Sequence, residues 1–113
     1  ISIADTVGLA TAQQVFSLTS YLIKQLPTHE IGVHLHSTRI NWKEKLEAAV
    51  RAGCKRFDGA LKGIGGCPMA EDELVGNMDT ELMIGYFKER KMIKSLNEEA
   101  LLHSLQLAST IFI

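Results

Sequence analysis

The chain is poor in the residues that staple or stiffen small folds, with two cysteines, two prolines and one tryptophan in 113 residues. Cys54 and Cys67 are too few for the disulfide framework on which short secreted domains depend, so a reduced, intracellular setting is the expectation. An excess of charge of one sign is also missing. A net charge of -1 with 22% charged residues argues against nucleic-acid and membrane-surface partners. No apolar run approaches the roughly 20 residues of a membrane helix, and Ile1-Ser2-Ile3-Ala4-Asp5 lacks the basic flank of a signal peptide. What remains is a soluble globular protein. There is no initiator Met, and the last residues, Ile111-Phe112-Ile113, are still apolar, so the chain is expected to be a piece of something longer, with edges and faces that a native fold covers.

What is present is a repeated pattern. Three strand-then-helix units follow one another at a spacing of about 30 residues, the length of a βα repeat. In the first, Ile1 to Thr6 reads as strand, and a helix capped at Thr11 carries Val15, Leu18, Leu22 and Leu26 on a core stripe until Pro27 stops it. In the second, Glu30 to His36 alternates, with Ile31, Val33 and Leu35 on one face and Gly32, His34 and His36 on the other. The helix that follows buries Trp42, Leu46, Ala49 and Val50, leaves Lys43, Glu44, Lys45 and Glu47 in solvent, and ends at a left-handed Gly53. A third strand is expected from about Arg56 to Ile64, weakened by Gly59 and Gly63 and followed by Gly65-Gly66-Cys67-Pro68. Asn77 and Asp79 then precede a helix with Leu82, Met83, Tyr86 and Phe87 inward, and Asn97 precedes a last helix burying Leu101, Leu102, Leu105, Ala108 and Phe112. Serial βα units imply an α/β fold with parallel strands, whose ligands sit at the carboxyl ends of the strands. Asp5-Thr6, His34-Leu35-His36 and Gly66-Cys67 all fall there.

The chemistry follows from side-chain types. Two histidines separated by one residue on a strand lie on the same side, about 6 to 7 Å apart along it, so their rings can converge on one cation; the alternative is a pair of polar rings satisfied by hydrogen bonds. His29, at a turn, and His103, on the last helix, read as surface or packing residues. A zinc deaminase or structural zinc site is disfavoured because no C-x-x-C pair exists. Cys67, between two glycines and a proline, is either a thiol whose pKa a nearby cation lowers or a small packing residue; Cys54 reads as packing. Asn77 offers an amide oxygen suited to a hard cation, with Glu81 one turn on, although helix caps account for both as well. Glu71-Asp72-Glu73 reads as a solvated loop without chemistry.

Asp5-Thr6-Val7-Gly8, Val33-His34-Leu35-His36 and Gly63-Ile64-Gly65-Gly66-Cys67-Pro68, followed by Gly76-Asn77, in this order and spacing, resemble the 3-hydroxy-3-methylglutaryl-CoA lyases. The Gly-Gly-Cys-Pro loop is the specific element. The H-x-H pair is shared with metal-dependent aldolases, isopropylmalate synthases and homocitrate synthases, which typically carry Asn-Asp after the second histidine and no such cysteine loop. The resemblance implies that residues 1–113 are the last three βα units and C-terminal helices of a (β/α)₈ TIM barrel, part of a single catalytic domain of about 250 residues whose earlier strands lie outside this chain. It implies Mg²⁺ or Mn²⁺ held by His34, His36 and Asn77. It further implies Cys67 as a catalytic acid on a closing loop, helped by His34, with Asp5 and Glu81 in catalytic roles and Thr6 near the substrate. The implied reaction is retro-Claisen cleavage of 3-hydroxy-3-methylglutaryl-CoA to acetyl-CoA and acetoacetate. The alternatives are a related metal-dependent aldolase or acyl-CoA condensing enzyme, or an inactive fragment, since these 113 residues alone are expected to be inactive. The implied partner is an acyl-CoA substrate and the implied assembly a homodimer of the whole barrel, cytoplasmic in a bacterium or in the mitochondrial matrix of a eukaryote. Ser37 and Met69 depart from the common pattern, and the acidic stretch between Cys67 and Asn77 is about one residue longer. These departures bear on the tuning of the metal site and on loop closure.

Overall fold

Thr11 starts the first helix as its sequence predicts, through a reciprocal cap: its hydroxyl accepts from Gln14 N at 3.1 Å while the Gln14 side chain accepts from Thr11 N at 2.9 Å. The computed structural model in which this is seen describes residues 1–65 and 75–112. Its elements are β1 (Ser2–Asp5), α1 (Ala12–Gln25), β2 (Gly32–Ser37), α2 (Trp42–Arg51), β3 (Arg56–Asp58), a 3-10 turn at Leu61–Gly63, β4 (Gly76–Asn77), α3 (Thr80–Glu89) and α4 (Glu98–Ile111).

The fold is α/β, and β1, β2 and β3 are parallel in that order. Register sets Ala4 and Asp58 on either side of His34. Because each parallel step needs a crossover, α1 and α2 return the chain and pack on one face of the sheet. Val15, Val33, Leu35, Leu46, Ala48, Ala49 and Cys54 form the core between the layers, flanked by Ile3, Phe16, Trp42 and Phe57. Leu46 is wholly buried, which is worth about 2 kcal/mol of apolar transfer. Cys54 is a free, buried packing thiol that donates to the carbonyls of Ile31 and Arg56, as expected. Among the described residues no helix is long and apolar enough to cross a membrane.

Several expectations are corrected. The third strand ends at Asp58 instead of reaching Ile64. Lys62 and Gly63 take left-handed backbone angles, φ 60° and 66°, and a pleat cannot propagate through them. The chain then returns as β4, antiparallel to the end of β2, with His36 opposite Asn77 and Ser37 opposite Gly76. Gly76 is required there, because a Cβ would meet the carbonyl oxygens of Gly63 at 2.5 Å and Gly65 at 2.8 Å. Asn77 is therefore a strand residue and not a cap; the cap of α3 is Asp79, which accepts from Glu81 N. On α4 the inward face is narrower than expected, with Ala108 buried but Leu102 and Phe112 each 58% exposed, and Leu18 on α1 is also exposed. The largest difference is Lys45. Expected in solvent, it is 1% exposed.

Candidate active site

β2 is the central strand, and its carboxyl end carries both histidines. Their ring centroids are 5.6 Å apart with the planes tilted by 42°, so the two imidazoles look into one space above the sheet face opposite the helices. β4 brings a third donor. The Asn77 side-chain amide donates to the Ile64 carbonyl at 2.8 Å, which turns its oxygen toward His34, 3.0 Å from Nε2. The backbone N–H of Asn77 donates to Gly65 O at 3.0 Å and holds the residue in place.

Asp58, on β3, approaches the other ring nitrogen of His34, with Oδ2 at 3.5 Å from Nδ1. His34 thus stands between two acceptors. A neutral imidazole has one N–H, so it can donate to Asp58 or to Asn77 but not to both; a cation held at Nε2 and the Asn77 oxygen would leave Nδ1–H for the carboxylate. His36 adds a second sign of the same kind. It is 6% exposed, and its Nδ1 has no hydrogen-bond partner among the described residues. Burial, reinforced by nearby His34, lowers the His36 pKa from its ordinary value against a smaller opposing pull from Asp5, which favours the neutral, metal-binding form. Among the described residues no group of three or more His, Cys, Asp and Glu side chains is gathered for a metal. The donor set on offer is two imidazoles and one amide oxygen, which fits a divalent cation as a partial coordination sphere.

The remaining sequence-derived candidates lie around this centre. Asp5, at the end of β1, spends its carboxylate on Lys45 Nζ at 2.8 Å and Ala10 N at 3.3 Å. Thr6 is exposed in the turn that follows. Glu81, on the first turn of α3, accepts from the Lys62 backbone N–H at 2.7 Å; burial raises its pKa from the usual carboxylate range. Its bond is to the 3-10 turn rather than to the histidines. Cys67 lies outside the described residues. Beside Asn77 a cleft of about 260 Å³ opens between the N-terminal ends of α2 and α3, lined by Arg39, Trp42, Lys62 and Asp79 among others.

Sequence reading missed two members of the site. Asp58 is the register partner of His34 on the neighbouring strand, and a carboxylate two residues into a strand that follows an H-x-H strand was the available signal. Lys45 stands three residues after Trp42 and four before Ala49, on the buried stripe of α2, but a lysine there reads as polar surface.

The model of the HMGL-like family matches residues 1–108. The chain belongs to the HMGL-like family. Among its relatives, the (R)-citramalyl-CoA lyase of Chloroflexus aurantiacus is 39% identical over 87 residues, covering 77% of this chain and 27% of that protein. The hydroxymethylglutaryl-CoA lyase YngG of Bacillus subtilis is 35% identical over 95 residues, covering 84% and 31%. An HMG-CoA lyase structure from Acinetobacter baumannii, in complex with coenzyme A and 3-methylmalate, superposes with a TM-score of 0.81 at 32% identity over 96% of this chain and 36% of that one. The HMGL-like chain described here therefore spans about a third or less of the length of these relatives, and its parallel α/β architecture is that of HMG-CoA lyase structures.

Proposed function

We propose that this HMGL-like chain supplies the H-x-H side of the active site of a divalent-metal-dependent carbon–carbon lyase acting on a 3-hydroxyacyl-CoA, with 3-hydroxy-3-methylglutaryl-CoA as the substrate. The observation that carries this reading is the convergence of His34, His36 and the Asn77 amide oxygen, with the Asn77 amide oriented by its bond to Ile64. The rest of the site belongs to the remainder of a (β/α)₈ barrel, of which residues 1–113 form the C-terminal part.

His34, His36 and Asn77 hold Mg²⁺ or Mn²⁺ in this reading. When bound, such an ion supplies Lewis-acid polarisation of the substrate's tertiary hydroxyl and an adjacent oxygen. Asp58 keeps a proton on His34 Nδ1, so that Nε2 presents its lone pair. Transfer of the hydroxyl proton to a basic side chain of the complete site lets the C–C bond break, giving acetoacetate and the enolate of acetyl-CoA, and the same proton equivalent restores the Cys67 thiol once it has been spent on the enolate. The enolate carbon then takes a proton, and Cys67 Sγ is the group assigned to deliver it, while His34 serves the cleavage through the cation it holds. Asp5 orders the end of β1 next to the substrate, Thr6 contacts the substrate from the exposed turn, and Glu81 fixes the 3-10 turn that leads into the Cys67 segment.

The substrate has a competitor. The relative that is 39% identical is a citramalyl-CoA lyase, and citramalyl-CoA undergoes the same cleavage to acetyl-CoA and a different oxoacid. Assaying the complete protein with Mg²⁺ separates the two: acetoacetate from 3-hydroxy-3-methylglutaryl-CoA is the expected product, and pyruvate from citramalyl-CoA without acetoacetate would replace the first substrate by the second. No cleavage of either would remove the lyase reading.

A further inference from the structure

Lys45 is the most deeply buried charge among the described residues. Its side chain is 2% exposed, and so large a desolvation penalty is tolerated only where the ammonium is paired and fully hydrogen-bonded. It is: Nζ donates to Asp5 Oδ2 at 2.8 Å, to Gly8 O at 3.1 Å and to His36 O at 3.0 Å. Three donors meet three acceptors.

Those acceptors come from three separate pieces of chain. Asp5 ends β1, Gly8 lies in the turn after it, and His36 is the second histidine of the H-x-H pair. Gly8 has φ 74°, and an added Cβ would lie 3.6 Å from His36 O and 3.7 Å from His36 Cβ, so the turn packs directly on that residue. Lys45 reaches this junction from α2, beneath the sheet. A simple ion pair would need Asp5 alone. Here two of the three bonds go to main-chain carbonyls, one of them on a residue of the donor set.

We propose that Lys45 is a positioning residue for the metal site: by tying the His36 main chain to the end of β1, it sets the distance and tilt between the His36 and His34 rings. This rests on the reading of His34, His36 and Asn77 as a cation site. The role is to fix geometry, and no proton moves through Lys45. A merely structural lysine would affect stability in proportion to the lost pair, whereas a positioning lysine also controls cation affinity in protein that remains folded.

The test is a Mn²⁺ titration followed by electron paramagnetic resonance, on the complete protein and three variants, each with its thermal midpoint measured without metal. In Lys45→Met the Asp5 carboxylate is left buried without its partner, so this variant loses stability. The double variant Lys45→Met with Asp5→Asn removes the unpaired charge and regains much of that loss. Both are expected to bind Mn²⁺ about tenfold more weakly or worse, while Asp5→Asn alone, which keeps the bonds from Lys45 to Gly8 O and His36 O, loses less. Mn²⁺ affinity within twofold of the parent in the folded double variant would overturn the role of Lys45, and so would a loss in Asp5→Asn equal to that of the double variant. If the parent protein binds no Mn²⁺, the cation site itself fails and this inference goes with it, an outcome read before any variant is compared.

Discussion

The side-chain oxygen of Asn77 faces Nε2 of His34 at 3.0 Å, across 43 positions of sequence, because the Asn77 amide nitrogen is already committed to Ile64 O. A flipped amide would present N–H groups to His34 and forfeit the Ile64 bond. The orientation is thus set by the protein before any ligand arrives, which is what a preorganised donor requires.

Asp58 is the carboxylate behind His34. Replacing Asp58 by Asn removes the charge that favours a proton on Nδ1 while keeping the side-chain shape. The expected outcome in the complete protein is a 10- to 100-fold rise in the Mn²⁺ dissociation constant, roughly the range for partners that orient ligating histidines, with a thermal midpoint close to the parent. Calorimetric titration checks it; unchanged affinity would show that the 3.5 Å contact does not govern the tautomer.

His36 gives a signed pH dependence. Its folded-state pKa lies below the ordinary value of 6.5, so below about pH 6.5 the unfolded chain binds more protons than the folded one. Stability therefore rises with pH through this window, is complete above it, and is lost as pH falls toward the lowered folded value. Urea midpoints measured between pH 5 and pH 8 in chelator should show this slope, and His36→Gln should reduce it. An identical slope in both proteins would assign the effect to other groups.

Cys54 should resist alkylation. Cys54 is buried, and burial raises its thiol pKa, so the thiolate that alkylating agents attack is scarce. In the native complete protein, mass spectrometry after brief iodoacetamide treatment is expected to find Cys54 protected, and denaturant should expose it. Early labelling of Cys54 would contradict the core described here.

Leu46 anchors α2 to the sheet. Truncation of Leu46 to Ala removes a fully buried side chain and should cost about 2 to 5 kcal/mol, measured as a fall in unfolding free energy. A loss under about 1 kcal/mol would mean that the two layers pack far less tightly than this structure has them.

The first two βα units were legible in the sequence because the evidence for them is local. Thr11 marks a helix start, Gly53 marks a stop and takes φ 98°, and alternation from Ile31 to His36 puts both imidazoles on one face. The pairing of β4 with β2 was not legible. Two residues, Gly76 and Asn77, carry no periodicity, and their partners, Ser37 and His36, are 39 and 41 positions away. Lys45 escaped for the opposite reason: its position on the helix was readable, but a pattern of polar and apolar residues cannot register an ammonium whose three acceptors come from β1, its turn and β2. The outward-facing Leu102, Phe112 and Leu18 show the same limit in apolar form, since periodicity marks a face without saying what covers it.

The junction between the 3-10 turn and β4 is stitched by three main-chain bonds, Ala60 N to Met78 O, Thr80 N to Ala60 O and Asn77 N to Gly65 O. These stitches tie Asn77 to residues 60–65 through the main chain itself, so its reach to His34 rests on bonds that most side-chain substitutions leave in place. The station of the amide oxygen beside His34 is thus written into the backbone path, and only a residue that lacks an N–H, or that alters that path, can undo it.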